Sequence, residues 1–244
     1  MIRRCPVTTR RARSPRGSGE ILAEEIIEAA SDLLVEHDDE TAVSIRAVAN
    51  RVGVTPPSIY LHFADKDALL DAVCARYFEH LDAEMAVASE GIADPLENAL
   101  AQGLAYVRFA LATPVLYRVA FRRPPDSGER LKVDDVLAAS AYARFRSTVA
   151  AMADEGICAA ADIDNVVLEL WAVAHGIASL MIAKPGLPWG RDLRHAENVL
   201  RSVGLGRATL TRLGERADHD TARAWFAARD VRSESSNDNM VKRR

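Results

Sequence analysis

The sequence predicts an all-α protein. Apolar residues recur at the three-to-four-residue spacing of amphipathic helices along most of the 244 residues, and no segment shows the strict alternation of a half-buried strand. Apolar residues make up 49% of the chain and charged residues 27%, as in a globular protein with a substantial core. The chain therefore has enough apolar surface for its helices to pack against one another.

The first 19 residues predict a basic, flexible arm. They contain six arginines and no acid, and this charge of +6 within a chain of net charge −4 leaves −10 for the remainder. A basic arm on an acidic body favours a nucleic-acid partner. An unstructured, solvated leader explains the same composition.

The first predicted helix covers residues 21–36, where apolar side chains form one stripe and acids lie opposite. The segment HDDET interrupts it. Ser44 can then cap a second, short helix that runs to about Val52, because a serine hydroxyl accepts from a first-turn N–H. Gly53 suits the left-handed conformation that often ends a helix.

The third helix is predicted to start at Pro56 or Pro57, where a missing N–H costs nothing. Asp65 is positioned to cap a fourth helix that continues past Glu84. Together, the second helix, the glycine turn and the third helix predict a helix-turn-helix. A helical hairpin inside a larger bundle is the alternative.

Further helices follow in the second half of the chain. Asp94 and Pro95 begin a helix that extends to about residue 113, and a short helix follows to Arg122. Segment 122–129, RRPPDSGE, predicts a surface loop. One long helix is expected from 131 to 155, closed by Gly156, and two more at 162–183 and 191–203. Segment 221–230 can form another helix, and the polar segment 233–244 is expected to be disordered.

Within the helix-turn-helix, side chains separate into an inner and an outer set. Val48, Ala49 and Val52 face inward from its first helix, and Ile59 and Phe63 from its second. The outward positions carry short polar groups and an aromatic hydroxyl, which suit phosphates and base edges. These outward residues are Thr55, Ser58, Tyr60 and His62.

The segment SIRAVANRVGVTPPSIYLHFADKDALLDAV, residues 44–73, closely resembles the DNA-binding part of the TetR family of transcriptional regulators. It has the Val-Gly-Val, Tyr-x-His-Phe and Lys-x-x-Leu elements at the family's spacing. The resemblance implies groove or phosphate contacts by Ser44, Arg46, Thr55, Pro56, Pro57 and Ser58, and phosphate contacts by Tyr60, His62 and Lys66. It leaves the role of Leu61 open. The arm would enter an adjacent minor groove.

The segment ELWAVAHGIASL, residues 169–180, is similar to the W-x-x-x-H-G signature of one TetR-type C-terminal domain. Trp171 and His175 share a helix face, and Gly176 permits close helix approach. Both side chains can equally be ordinary core residues. An apolar effector pocket is expected among Tyr106, Phe109, Tyr117, Phe121, Phe145, Met152, Trp171, His175 and Met181.

The resemblance implies four parts of the chain: a flexible arm (1–19), a DNA-binding domain (20–66), a ligand-binding and dimerisation domain (67–206) and an uncertain, partly disordered tail (207–244). The expected partners are double-stranded DNA with a palindromic operator, a small, largely apolar effector and a second copy of the chain. Dimerisation is expected through helices 162–183 and 191–203, which would place two recognition helices about 34–36 Å apart. Repression is the leading interpretation, with activation left open.

The sequence gives little support to other functional classes of protein. Three widely spaced cysteines predict neither a disulfide framework nor a zinc site, and a reducing cytoplasm is the simplest location. Segment 166–183 contains Glu169 and His175, so we expect no membrane span. No nucleophile elbow, phosphate loop or metal-ligand cluster is present, so we expect no cofactor, metal or catalytic site. An all-helical enzyme and an effector-independent dimeric regulator remain the alternatives.

Overall fold

The computed structural model describes residues 19–121, 132–190, 192–214 and 218–228, and the regular structure within these ranges is entirely helical. The all-α prediction is thus confirmed. The principal helices are α1 (Gly19–His37), α2 (Ile45–Val52), α3 (Pro56–Tyr60), α4 (Lys66–Ala88), α5 (Pro95–Ala112), α6 (Pro114–Ala120), α7 (Lys132–Ala139), α8 (Ala141–Asp154), α9 (Ile163–Ala183) and α10 (Arg194–Leu213). Residues 219–228 are also helical, as expected near Trp225.

The predicted helix caps are present. The side chains of Ser44, Asp65 and Asp94 accept hydrogen bonds from first-turn backbone N–H groups of α2, α4 and α5. Gly53 ends α2 with a φ of 78°, and Gly156 has a φ of 70° after α8. The three N-terminal caps, Ser44, Asp65 and Asp94, satisfy N–H donors that a helix leaves unpaired at its start.

A first core joins α1, α2, α3 and the start of α4. Val48 and Ala49 of α2 are buried against Ile59 of α3, and Phe63 closes the same cluster, while Val52 is half-buried. Val115 of α6 is also buried in this core. The short helix α6 therefore packs directly on the helix-turn-helix.

The remaining helices form a bundle in which α5 and α9 are central. α5 contacts α4, α8, α9 and α10, and α9 contacts α5, α8 and α10. α6 leaves the end of α5 at an angle of 106° and turns back towards α1 and α4. This bend connects the bundle to the helix-turn-helix core.

The expectation of one long helix from 131 to 155 is wrong over the described residues, because α7 and α8 meet at a break at Ser140. Ser140 has φ −117° and ψ −106°, and its hydroxyl donates to the carbonyl of Val136 at 2.6 Å. A serine hydroxyl bonded to its own helix offers the backbone an alternative to continued helix. The break lets α7 lie on α4 while α8 packs against α5 and α9.

The helix expected at 191–203 is longer than predicted, since α10 continues to Leu213. Neighbouring elements stabilise the extension. A Cβ on Gly204 would lie 3.7 Å from Leu96, and Arg207 donates to Asp162 at 3.3 Å. Tertiary packing therefore overrides the weak helix propensity of the two glycines in this segment.

Residues 160–183 are long and apolar enough to cross a membrane. A third of their most apolar 18-residue segment is buried. In the fold this segment includes α9, which packs between other helices, as core helices of the same composition do. The predicted arm, the loop 122–129 and the tail 233–244 lie outside the described residues, except that Gly19 begins α1.

Candidate DNA-binding surface and effector cavity

The turn between α2 and α3 is closed by backbone hydrogen bonds. The N–H groups of Gly53 and Val54 both donate to the carbonyl of Ala49, at 3.0 Å each. Pro56 then begins α3, with Thr55 in extended conformation before it. The turn sets α3 across α2 and directs its start away from the core.

α3 buries Ile59, half-buries Ser58 and exposes Pro56, Pro57 and Tyr60. Tyr60 is 54% exposed and Leu61, directly after the helix, is 83% exposed, the largest fraction among the exposed large apolar side chains described. The Thr55 and Ser58 hydroxyls lie 3.0 Å apart. The predicted groove-facing residues, Thr55, Pro56, Pro57 and Ser58, thus lie next to Leu61 and the predicted phosphate contact Tyr60.

The side chains of His62 and Lys66 are less exposed to solvent than the sequence suggests. Both are half-buried. Lys66 Nζ donates to the backbone carbonyl of Glu40 at 3.1 Å. His62 lies beside the start of α1, because a Cβ on Gly19 would be 3.8 Å from His62 Cε1. The chain therefore enters α1 close to the residues that follow α3.

Arg46 is exposed, and within the described part of the chain it makes no ion pair. Arg51, five residues later on α2, is different because it forms hydrogen bonds with Glu36 of α1 at 2.9 and 2.5 Å. These bonds lower the pKa of the Glu36 carboxyl. Arg46 is thus available to a partner, whereas Arg51 attaches α2 to α1.

A cavity of about 290 Å³ lies between α4, α5, α7, α8, α9 and α10. Its size is close to the lower end of small-molecule sites, about 300–1,000 Å³. Its wall is mainly apolar and includes four residues expected from the sequence. These residues are Tyr106, Phe145, Met152 and Trp171.

The other residues expected in the pocket do not line this cavity: Phe109, Tyr117, Phe121, His175 and Met181. Their side chains turn towards a packed cluster instead. Phe109 lies 4.8 Å from the ring of Tyr77, and Phe121 lies 4.5 Å from the ring of His175. Aromatic pairs at these distances stabilise a core rather than leave space for a ligand.

His175 lies within a polar network inside this cluster. The hydroxyls of Tyr106 and Tyr117 lie 3.0 and 2.9 Å from His175 Nδ1, and Ser179 Oγ lies 2.7 Å from the Tyr117 hydroxyl. Burial lowers the pKa of His175 and raises the pKa of Tyr106 and Tyr117. The network therefore favours neutral groups.

α6 connects this cluster to the helix-turn-helix. The ring of Phe121 lies 6.4 Å from Trp171, which lines the cavity, and 5.5 Å from Phe78 of α4. Arg118 donates to Asp38 at the end of α1 at 2.6 Å. Phe121, directly after α6, thus contacts both α4 and the cavity wall.

Sequence reasoning missed Gln102, a buried polar residue in the cavity wall. It lies one helical turn before Tyr106 on α5, and this four-residue spacing was the signal that could have identified it. The amide nitrogen has three acceptors nearby, on Ser89, Asn98 and Thr148. The amide oxygen has no partner.

α9 and α10 leave apolar side chains exposed on the outside of the bundle. Leu168 and Leu180 of α9 are 53% and 54% exposed, and Leu205 of α10, which also lines the cavity, is 55% exposed. Gly176 was expected to allow close helix approach, but no atom within the described part of the chain lies within 4 Å of its Cβ position. Such an exposed apolar stripe is typical of an interaction surface.

Among residues 19–121, 132–190, 192–214 and 218–228, no group of three or more His, Cys, Asp or Glu side chains could hold a metal ion.

Two family models match separate segments of the chain. The model described as "Bacterial regulatory proteins, tetR family" matches residues 26–73, which include α2, α3 and the turn. The model described as "Tetracyclin repressor-like, C-terminal domain" matches residues 99–203, which include most of the cavity wall.

Two curated relatives from Mycobacterium tuberculosis are similar to this chain. The HTH-type transcriptional repressor Rv3405c is 33% identical over 150 residues, covering 54% of this chain and 76% of that protein. The uncharacterized HTH-type transcriptional regulator Rv1255c is 27% identical over 129 residues, covering 52% of this chain and 63% of that protein. The match to Rv1255c thus spans less than two thirds of that regulator's length.

Solved structures share the fold. A protein of unknown function from Rhodococcus sp. RHA1 is 26% identical with a TM-score of 0.64, covering 77% of this chain and 94% of that chain. RolR in complex with resorcinol is 16% identical with a TM-score of 0.61, covering 80% of this chain and 93% of that chain.

Proposed function

Because this chain belongs to the TetR family of DNA-binding transcriptional regulators, we propose that it is a ligand-responsive repressor in the cytoplasm. It binds a palindromic operator as a homodimer and is released by a small, largely apolar effector. The observation that carries this proposal is the exposed surface of α3, where Tyr60 and Leu61 lie outside a fully formed core. Exposed aromatic and apolar side chains on a short helix suit a groove lined by phosphates and thymine methyl groups.

On the proposed interface, α3 lies in the major groove. Thr55, Pro56, Pro57 and Ser58 at its start face base edges, with few hydrogen-bonding groups because of the two prolines. Ser44, Arg46, Tyr60, His62 and Lys66 surround this surface as base or phosphate contacts. Arg46 is the candidate for direct base readout, because an arginine can donate two hydrogen bonds to a guanine.

The position of α1 supports a role for the basic arm. Gly19 begins α1 beside His62, so residues before it join the protein at the edge of the proposed DNA surface. Flexible arginines at such a position can enter a neighbouring minor groove. The arm would add affinity that depends strongly on salt.

The exposed stripe on α9 and α10 supports a homodimer. It contains Leu168, Leu180 and Leu205, and Gly176 leaves space beside it for a second helix. A two-fold dimer would repeat the same stripe on both copies, so each would cover the other. Two α3 helices would then read symmetric half-sites.

The cavity supports effector release. A ligand against Trp171 would displace Phe121, and Phe121 packs against Phe78 in the helix that follows the helix-turn-helix. α6 also contacts α1 through Arg118 and Asp38. The similarity to RolR, whose structure contains resorcinol, is consistent with a small ligand in this fold.

Selection of DNA from a random library by the purified full chain tests this function. We expect one enriched palindromic motif whose half-sites lie about 10–10.5 base pairs apart, because a dimer presents two recognition helices one helical turn apart. Enrichment without symmetry contradicts the dimeric interface. Selection of no motif contradicts sequence-specific binding.

A further inference from the structure

Gln102 carries a buried hydrogen-bond acceptor that the protein leaves unused. The side chain is 1% exposed. Its Nε2 lies 3.0 Å from Ser89 Oγ, 2.9 Å from Asn98 Oδ1 and 2.8 Å from Thr148 Oγ1. Its Oε1 has no partner, and only Arg207 Nε shares this condition among the buried side-chain atoms described. Buried polar atoms in proteins are nearly always hydrogen-bonded, so this exception requires an explanation.

Gln102 lies between the cavity and a separate surface groove. Ser89, Asn98 and Thr148 line this groove and none of them lines the cavity, whereas Gln102 lines both. The amide nitrogen is therefore directed to the groove. Gln102 also lines the cavity, so its unpaired oxygen is the polar atom that this side chain can offer to a molecule bound there.

Within the described wall, no other buried side-chain nitrogen or oxygen lacks a hydrogen-bond partner. The Tyr106 hydroxyl is 3.0 Å from His175 Nδ1. The charged side chains at the cavity are already engaged: Asp94 accepts from the backbone of Leu96 at 2.8 Å, and Arg201 donates to Glu97 at 2.7 Å. A charged ligand inside the cavity would lose its hydration without gaining an ionic partner.

We propose that the effector is a neutral, mainly apolar molecule with a hydroxyl or N–H group that donates a hydrogen bond to Gln102 Oε1. The inference rests on the proposed effector site and specifies its ligand class. Gln102 is then the specificity-determining residue of the cavity. The apolar walls contribute affinity, and this unpaired buried acceptor selects among molecules of similar shape.

Three naphthalene probes test the proposal by calorimetry on the full chain: 2-naphthol, 2-methoxynaphthalene and 2-naphthoate. The naphthol can donate a hydrogen bond, the methyl ether can only accept, and naphthoate is charged. We expect 2-naphthol to bind about five- to tenfold more tightly than the ether, as one hydrogen bond allows. Naphthoate should bind most weakly.

Two variants test whether Gln102 causes the preference for 2-naphthol over the methyl ether. Gln102→Met keeps the side-chain length but removes the acceptor, so 2-naphthol and the ether should bind within about twofold of each other. Thr148→Val is the matched control: it removes one acceptor behind the amide and leaves Oε1 in place, so the naphthol preference should persist. Circular dichroism reports whether both variants fold.

The wild-type complex provides a test that does not depend on a variant. A crystal structure with 2-naphthol should place its oxygen about 2.5–3.0 Å from Gln102 Oε1. Equal affinity for naphthol and ether, absence of binding by all probes, an unchanged preference in Gln102→Met, or a hydroxyl placed elsewhere overturns the inference.

Operator affinity separates this inference from the function on which it rests. If 2-naphthol binds with a preference that depends on Gln102 and weakens operator binding, both are supported. If it binds in this way but operator affinity does not change, the ligand class stands and effector-dependent release fails.

Discussion

Arg46 and Lys66 are both cations of the proposed DNA surface, but the protein holds them differently. Arg46 is exposed without an ion pair in the regions that the structure covers. Lys66 already donates to the carbonyl of Glu40 at 3.1 Å. A lysine ammonium has three N–H donors, so Lys66 can contact a phosphate while it keeps the bond to Glu40.

Replacing Lys66 tests this phosphate contact. Lys66→Ala should weaken binding to operator and unrelated DNA alike and reduce the slope of log affinity against log salt by about 1. Lys66→Arg keeps the charge and should retain the slope. Filter binding over a salt series measures both. An unchanged slope in Lys66→Ala would leave Lys66 with its structural contact to Glu40 alone.

His175 makes folding stability depend on pH. Burial lowers its pKa in the folded protein below the ordinary value of 6.5. As pH falls through about 6.5, the unfolded chain binds a proton before the folded chain does, so folding becomes less favourable. This loss stops growing below the folded pKa.

His175→Gln should consequently flatten the pH dependence of stability. Between pH 7 and pH 5, the free energy of unfolding of the wild type should decrease more than that of the variant. Urea titrations at each pH measure this difference, and comparison of slopes removes any constant cost of the substitution. Parallel curves for the two proteins would show that His175 does not contribute.

At the scale of elements, the angle between α2 and α3 depends on Gly53. Its φ of 78° is in the left-handed region, and its N–H donates to Ala49. An L-residue in this conformation brings its Cβ too close to the following carbonyl. Space is not the constraint, because no atom within the described residues lies within 4 Å of a Cβ at this position.

Gly53→Ala should lower the free energy of unfolding by about 1–2 kcal/mol through backbone strain. Gly53→Asn adds a larger side chain but tolerates the left-handed region, so it should cost less. Urea unfolding in the absence of DNA measures both. If Asn cost as much as Ala or more, side-chain size rather than backbone conformation would be the cause.

At the scale of the whole molecule, the proposed dimer relates the two DNA surfaces. The exposed leucines of α9 and α10 lie on the bundle, whereas Tyr60 and Leu61 lie on the helix-turn-helix. A monomer would present only one α3 helix, which can contact only one half-site of the operator. Linking two α3 helices in a dimer raises the overall affinity for the operator by a factor of about 10²–10⁴ without any new kind of contact to DNA.

The double variant Leu168→Glu, Leu180→Glu should be monomeric and bind the operator at least about 100-fold more weakly. Val87→Glu is a suitable control, since Val87 is 64% exposed on α4 rather than on the stripe. Sedimentation velocity and operator titration measure the two effects. A dimeric double variant would remove this stripe from the interface.

The sequence by itself determined the class and the local structure. Helical periodicity predicted the all-α fold, and Ser44, Gly53, Asp65 and Asp94 marked helix ends that the structure contains. These helix ends can be recognised in the sequence because helix capping and left-handed termination depend only on residues adjacent in the chain. The motif around Tyr60 likewise identified the family from one continuous segment.

Only the tertiary structure decided how the second half is organised. It divided the predicted pocket residues between an open cavity with Trp171 and a closed cluster with His175, although both lie on α9. It also broke the helix at Ser140 and revealed the unpaired oxygen of Gln102. Periodicity shows that a side chain faces inward, but whether it meets a cavity, an aromatic ring or no partner depends on residues distant in sequence.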